Sequence, residues 1–420
     1  MSSESRDDAR SGTAGRSLAE VVAERDAIQA ELDRLRAIPE LRVGQRVRHA
    51  LRRLRGSRPE SPTGSPTDTG SASPAPSPVE AAVEAQARPA DIDRSDERRR
   101  IAEPDDPYAW LHRRPTWADT RFDGIAVQIV LFENDPAQQA RLAGAVAATL
   151  RVARDRLGLG RAVVRYGDCS PEPCLDDGAR RTIADLLGDG ADEVTFEHFG
   201  ANLGSSGGSN ALAAHGNEDV IWVLNPDTYP SPDAATQLLV ALSVDGVGIT
   251  EARQVPIEHP KEFDLGTGET PWAVGYSLMI RRDVFDEVGG FDPHYFPMYC
   301  DDVDLSWRVR LAGRSVVHVP GACVVHDKPI SAGGTIRWSD DAARWSHLAK
   351  LWLYHRYGRE DLAAAFVHSV DREVDPIAAE AVEIYERRVA DGDAPAPLAG
   401  AESVAYFVDG RLEPRRFGYR

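Results

Sequence analysis

Cysteine, methionine and long apolar runs are all scarce in this chain, and each scarcity excludes something. Its 420 residues include four cysteines and three methionines. Cys169, Cys174, Cys300 and Cys323 show no Cys-x-x-Cys spacing, so neither a zinc knuckle nor a disulfide framework is indicated, and reduced thiols in a cytoplasmic setting are expected. No run of about 18 apolar residues occurs, so no membrane-spanning helix is expected. The N-terminus carries acids and lacks an apolar core, unlike a secretory signal. Positive charge is also in short supply: 49 Lys and Arg against 67 Asp and Glu give a net charge of -18. That argues against a general nucleic-acid binder, which needs clustered cations for phosphates.

What is present suffices for a sizeable core, with 42% hydrophobic residues in a chain longer than the roughly 100–200 residues of a usual domain. Residues 1–56 read as a helical arm outside the main fold. Leu18, Val22, Ile28, Leu32 and Leu35 recur at helical spacing among charges, as in an amphipathic or coiled-coil helix. Between Leu41 and Gly56 there are six arginines and no acid, interleaved with apolar residues. Residues 41–55 therefore suit an anionic membrane surface, with peripheral contact at the inner face of the plasma membrane, or a partner helix; a solvated arm is the alternative. Residues 57–95, rich in Pro, Ser, Thr and Gly, cannot bury enough apolar surface to offset their ordering entropy and read as a disordered linker. Residues 96–360 form the expected main domain, and 361–420 a helical extension with a hairpin at Asp409-Gly410.

The main domain opens with an apolar run, Ile125–Phe132, read as a buried parallel strand. Helices are expected near 138–157, 179–187, 205–215 and 233–242, alternating with strands near 161–166, 193–199 and 219–224, with a further strand near 247–249. That alternation implies an α/β fold with a mostly parallel, doubly wound sheet, whose ligands bind beyond the carboxyl ends of the strands. Glu133–Asn134, Gly167–Asp168, Ala201–Asn202 and Asn225–Asp227 should then share one rim. Further on, 251–269 reads as a polar loop, 272–280 as a strand, 281–288 as a helix and 340–357 as another.

Three segments carry chemistry. Gly289–His326 packs Asp301, Asp302 and Asp304 behind an aromatic turn and ahead of an apolar helix. Carboxylates beside hydrophobic residues tend towards raised pKa values and clefts; a capping cluster on an exposed helix is the alternative. Val220–Ser231, VIWVLNPDTYPS, runs an apolar strand into a rim carboxylate, Asp227, the kind of oxygen donor that hard divalent cations take; otherwise it is a capping turn. Asn202–Asn210, NLGSSGGSN, is a glycine-rich loop before a helix, suited to close backbone approach by an anion, or to a purely structural turn.

Together these segments resemble family-2 glycosyltransferases of the A-type fold, in a rhamnosyltransferase-like branch, over residues 122–357. Gly289–His326 matches the family's acceptor-side signature, Asn225–Thr228 its metal and diphosphate motif, and Asn202–Asn210 its nucleotide-sugar loop. The resemblance implies an inverting glycosyltransferase that moves a sugar from a nucleotide-diphosphate donor to a hydroxyl of a glycan or lipid-linked acceptor in cell-wall or surface polysaccharide synthesis. It implies Asp302 as the base with Asp301 beside it, and Asp304 as a helix-capping acid. Donor contacts would come from Asn134, Asp168, Asn202, Gly204, Gly208, Asn210, Asn225 and Asp227, and acceptor contacts from Trp272, Gly275 and Tyr276. Asp227 and His326 would hold Mg2+ or Mn2+. The chain departs from the pattern at Phe132-Glu133-Asn134, at Asp168, which is displaced by one residue, and at Asn225, where the family usually has a first acid. A nucleotidyltransferase-like enzyme and a non-catalytic nucleotide-sugar-binding module stay open; Glu133–Pro136 lacks the Gly-rich, basic loop expected of the former.

Overall fold

The structure, a computed structural model, describes residues 120–328, 339–408 and 412–413. The helical arm, the linker and the Asp409-Gly410 hairpin lie outside the described residues. The described part is built on one eight-stranded sheet: β1 (Gly124–Leu131), β2 (Arg161–Asp168), β3 (Glu193–His198), β4 (Val220–Leu224), β5 (Thr228–Pro230), β6 (Val247–Val255), β7 (Ser277–Arg281) and β8 (Ser315–His326). The spatial order is β3-β2-β1-β4-β7-β6-β8-β5. β3, β2, β1 and β4 pair in parallel, as does β6 with β8, while β7 runs antiparallel to both its neighbours and β5 antiparallel to β8.

The helices are α1 (Pro136–Leu157), α2 (Asp177–Leu187), α3 (Gly204–Ala213), α4 (Ala234–Leu242), α5 (Arg282–Glu287), α6 (Asp301–Leu311), α7 (Asp340–Arg356), α8 (Glu360–Ser369) and α9 (Pro376–Ala390). Local chemistry sets several of their ends. Asp135 caps α1 by accepting from the Ala137 amide, Pro136 supplies the pre-set φ of a first helical position, and Gly158 closes the helix in the left-handed conformation. β4, VIWVL, is buried along its whole length because both its faces are covered. Trp222 and Leu224 join the core under α1 and α4, whereas Ile221 and Val223 join the cluster with Val284, Phe285 and Leu305 on the opposite side. A third cluster, with Trp272, Phe296, Trp307 and Trp352 fully or nearly buried, joins α6 to α7 and α9.

Two expected elements differ, for one reason. The polar stretch from Glu251 continues β6 to Val255, because the buried Glu251 carboxylate accepts from Lys261 and lies 2.8 Å from His318 Nδ1. The strand expected from Trp272 begins only at Ser277. Ahead of it the Val274 amide donates to Glu251 (2.6 Å) and the Gly275 amide to Asp302 (2.7 Å). Side-chain carboxylates thus take the place of a neighbouring strand, which no periodicity encodes.

Candidate functional site

The four parallel strands end on a common rim, and the chain crosses from β3 on one side of β1 to β4 on the other. A switch of this kind opens a crevice. Here a cleft of about 360 Å3 lies at the ends of β1 and β4, lined by Asn134, Gln138, Ser205, Ser209, Asn225, Asp227 and Lys328 among others.

One wall is the loop after β4. The Asp227 carboxylate meets His326 Nε2 at 3.2 Å and Lys328 Nζ at 3.0 Å. Register puts His326 there, since β5 pairs Thr228 with His326 at the end of β8. Burial alone would raise the Asp227 carboxyl, but His326 and Lys328 outweigh it and hold the group below the usual carboxylate range. The His326 ring is 7% exposed, stacks on Tyr276 (5.3 Å between centroids), and has no hydrogen-bond partner at either nitrogen. The Asp227 contact is close in distance but off the hydrogen-bond direction. A buried imidazole with free nitrogens beside a carboxylate suits a divalent cation that takes its remaining ligands from diphosphate oxygens and water. Among the described residues no group of three or more His, Cys, Asp or Glu forms a fuller cage.

The start of α6 does not itself line the cleft and reaches it through Ser205. Asp301 accepts from the Ser205 hydroxyl at 3.0 Å, and Ser205 lines the cleft. Asp302 accepts from the Gly275 amide. Burial, then the neighbouring Asp301 charge, pushes the Asp302 carboxyl well up; burial does the same to Asp301, eased by the Ser205 hydrogen bond. The residues leading in are strained: Tyr299 and Cys300 have φ of 63° and 55°, a conformation that costs free energy in side-chain-bearing residues. One dipeptide links Asp302 to the loop after β4. Gly275 donates to Asp302, while the Tyr276 carbonyl accepts from the Asn225 amide at 3.0 Å.

Other predicted residues have local jobs. Asp168 is nearly buried, and its oxygens accept from the Ser170 and Cys174 amides (2.9 and 2.8 Å), which shapes its own loop. Asn202 accepts from the Gly204 amide (3.0 Å) and, like Asp168, does not line the cleft. Gly204 has φ +71°, and a Cβ there would come within 2.3 Å of the Pro297 carbonyl. At Gly208 a Cβ would meet Val130 at 2.7 Å. Both glycines therefore serve close packing rather than anion approach. The Asn210 side chain donates to the Phe291 carbonyl (2.9 Å) and accepts from the Phe291 amide (3.0 Å), which pins α3 to the GGFD turn. We expect Asn210→Ala to lower unfolding free energy by about 2 kcal/mol, one to two hydrogen bonds' worth, without changing nucleotide affinity. Urea denaturation alongside a nucleotide titration checks this, and weakened nucleotide binding at unchanged stability would return Asn210 to the pocket.

Trp272 is 5% exposed, donates to the Leu412 carbonyl (3.2 Å) and packs in the α6–α7 core. Tyr276 is likewise buried, with its hydroxyl on the Ala252 carbonyl and its ring stacked on His326. α6 begins at Asp301, so Asp304 sits in its first turn, fully buried, accepting from Arg308 (2.8 Å) and Arg356 (3.0 Å). Sequence reasoning missed Ser205, Gln138, Ser209 and Lys328. Ser205 lay inside the quoted glycine loop, and Lys328 sits two residues past His326, where only the β5–β8 pairing brings it back to Asp227.

Sequence comparison gives this arrangement a context. No family model matches the chain. An N-acetylglucosaminyl-diphospho-decaprenol L-rhamnosyltransferase of Mycobacterium tuberculosis is 33% identical over 181 residues, covering 32% of this chain and 59% of that protein. Rhamnosyltransferase WbbL of Escherichia coli is 39% identical over 67 residues, 16% of this chain and 25% of the other. Over the matched segments the chain is similar to these rhamnosyltransferases. It spans about three-fifths of the length of the mycobacterial relative it matches. Among solved structures, a mannosyltransferase from Pyrobaculum calidifontis in complex with GDP-Man and Mn2+ aligns with a TM-score of 0.43 at 15% identity, over 71% of this chain and 83% of the other. S. aureus TarS aligns with a TM-score of 0.41 at 10% identity, over 64% and 50%. Among the described residues, no helix is long and apolar enough to cross a membrane.

Proposed function

We propose that the chain is an inverting glycosyltransferase of the family-2 type, moving a sugar from a nucleoside-diphosphate donor to a hydroxyl of a glycan or lipid-linked acceptor in cell-wall polysaccharide synthesis. The observation that carries this is a cleft holding Asp227 and Lys328 with His326 against Asp227, linked through Ser205 and the Gly275-Tyr276 dipeptide to a carboxylate pair of raised pKa at the start of α6. The similarity to rhamnosyltransferases supports rhamnose as the sugar, and the printed name of the mycobacterial relative supports a lipid-diphosphate-linked acceptor.

In this reading the donor diphosphate lies against Asn225, Asp227 and Lys328. Asp302 takes the proton of the acceptor hydroxyl as its oxygen attacks the anomeric carbon from the face opposite the diphosphate. The bond to the diphosphate breaks and carries its electron pair away with the leaving group, so the anomeric centre inverts. Asp227 and His326 would hold a divalent cation, which when bound supplies charge neutralisation for the diphosphate. Asn134, Gln138 and Ser209 line the rest of the cleft and offer polar contacts to the donor. Residues 1–56 and 57–95 would tether this domain, with 41–55 resting on anionic lipid at the cytoplasmic face. Co-sedimentation with anionic but not neutral vesicles is the expected result for that contact.

The test of function uses the full chain with dTDP-, UDP- and GDP-linked sugars, Mn2+ or Mg2+, and an acceptor ending in diphosphate-linked N-acetylglucosamine. Expected is acceptor-dependent release of nucleoside diphosphate with one donor, and a product of inverted configuration. Absence of transfer with every donor and acceptor, from protein that still unfolds cooperatively, would sink the reading.

A further inference from the structure

Both carboxylate oxygens of Asp227 have close neighbours, but only Oδ2 faces a full positive charge. Oδ1 faces His326, Oδ2 lies 3.0 Å from Lys328 Nζ, and the backbone carbonyl accepts from the Asp327 amide at 2.8 Å. The next carboxylate along, Asp327, is drawn the other way, 3.8 Å from Arg141, whose guanidinium lies over the Tyr229 ring at 4.4 Å. A cation arriving at Asp227 and His326 would therefore find two protein donors and a fixed positive charge beside one of them. Yet the buried His326 ring, with neither nitrogen hydrogen-bonded among the described residues, can still act as a metal ligand.

We infer that Lys328 is a built-in placeholder for the divalent cation, keeping it off Asp227 until a nucleoside diphosphate arrives and draws the ammonium away. This rests on the proposed donor site and adds to it an order of events: cation and nucleotide enter together. The chemistry of lysine allows it. Its charge sits on a flexible four-carbon stem, the side chain is 36% exposed at the cleft edge, and an ammonium is a good point-charge partner for phosphate oxygens. With the diphosphate present, Lys328 exchanges one anionic partner for another, and the vacated Oδ2 and the phosphate oxygens together supply the ligands that the protein alone lacks. Cation and nucleotide then strengthen each other's binding by the same factor, because coupling between two ligands is reciprocal.

The experiment measures Mn2+ binding to the full chain by loss of the free-ion electron paramagnetic resonance signal, with Mn2+ alone and with dTDP, UDP or GDP added in turn. For the wild type, weak binding alone and at least about tenfold tighter binding with one nucleotide is expected. Lys328→Met should bind Mn2+ alone about tenfold more tightly than the wild type and gain less from the nucleotide. Lys328→Arg should behave as the wild type, and Asp227→Asn added to Lys328→Met should remove the gain. Equal affinity of wild type and Lys328→Met for Mn2+ alone overturns the inference, as does a nucleotide that leaves wild-type Mn2+ affinity unchanged. Transfer assayed on the same wild-type preparation reports separately on the function, so either can fail while the other's result is read.

Discussion

Replacing Asp302 by Asn is expected to slow sugar transfer by about 10²–10⁴-fold, the usual contribution of a positioned general base, while leaving nucleoside-diphosphate affinity intact. The side-chain oxygen of Asn can still accept from the Gly275 amide, so that tie is kept, while the Val303 amide loses the carboxylate oxygen it donates to. What the Asn side chain lacks is basicity. The same substitution should raise the melting temperature at neutral and higher pH. Burial and the Asp301 charge lift the folded-state pKa of Asp302 above its unfolded value, so the stability this group contributes is full at low pH and is lost as pH rises through the folded value. Above that point the ionised carboxylate is a net cost, which Asn removes; in acid, where the wild-type group is already protonated, the difference should vanish. Wild-type turnover should accordingly rise with pH through a midpoint above the ordinary carboxylate range, since only the ionised form can accept the proton. Initial rates, nucleotide titration and thermal unfolding from pH 5 to 9 test all three. Near-wild-type turnover in Asp302→Asn would remove Asp302 as the base, whatever its stability showed.

The second large effect is expected at Arg356, which no sequence motif marked. Its guanidinium, at the end of α7, donates to Asp304 in α6 and to Asp292 in the GGFD turn, and lies over the Tyr295 and Phe296 rings at 5.2 and 5.1 Å. Asp304 is wholly buried and keeps Arg308 and the Tyr357 hydroxyl as its other partners. Arg356→Met should cost about 3 kcal/mol, the lower end for breaking a buried ion pair, because Arg308 still compensates part of the stranded charge. It should also lower turnover, since Asp304 stands one turn from Asp301 and anchors the start of the helix that presents Asp302. Adding Asp304→Asn to Arg356→Met should recover part of the stability by removing the stranded charge. A urea-denaturation loss below about 1 kcal/mol would show that the network is solvated and does not anchor α6.

How far the site could be read depended on the kind of signal each residue gives. Asp301 and Asp302 stood out because three acids beside aromatic and apolar residues are chemically expensive wherever they are buried, and the chain order of the acidic segments matched a known pattern. Asp227 stood out because a fully apolar strand delivers it to the rim. The contacts of Asn210 were not legible, because an amide in a glycine-rich loop looks the same in sequence whatever it faces, and its partner here is the Phe291 backbone 81 residues on. Those of Trp272 were not legible either, because the Leu412 carbonyl it donates to comes 140 residues later. Ser205 and Lys328 carry no marking of their own; each matters only through a carboxylate that folding brings to it.

The sequence alone determined the βα alternation, the rim on which the functional loops must lie and the acids worth suspecting, because periodicity, turn chemistry and the cost of burying charge act over a few residues. Tertiary structure decided which acids titrate high, which are neutralised and which polar side chains are taken up by backbone. Those outcomes depend on neighbours such as Gly275, Lys328 and Arg356, which arrive from distant strands and helices, and electrostatic energies fall off over a few ångströms of space rather than a few positions of chain.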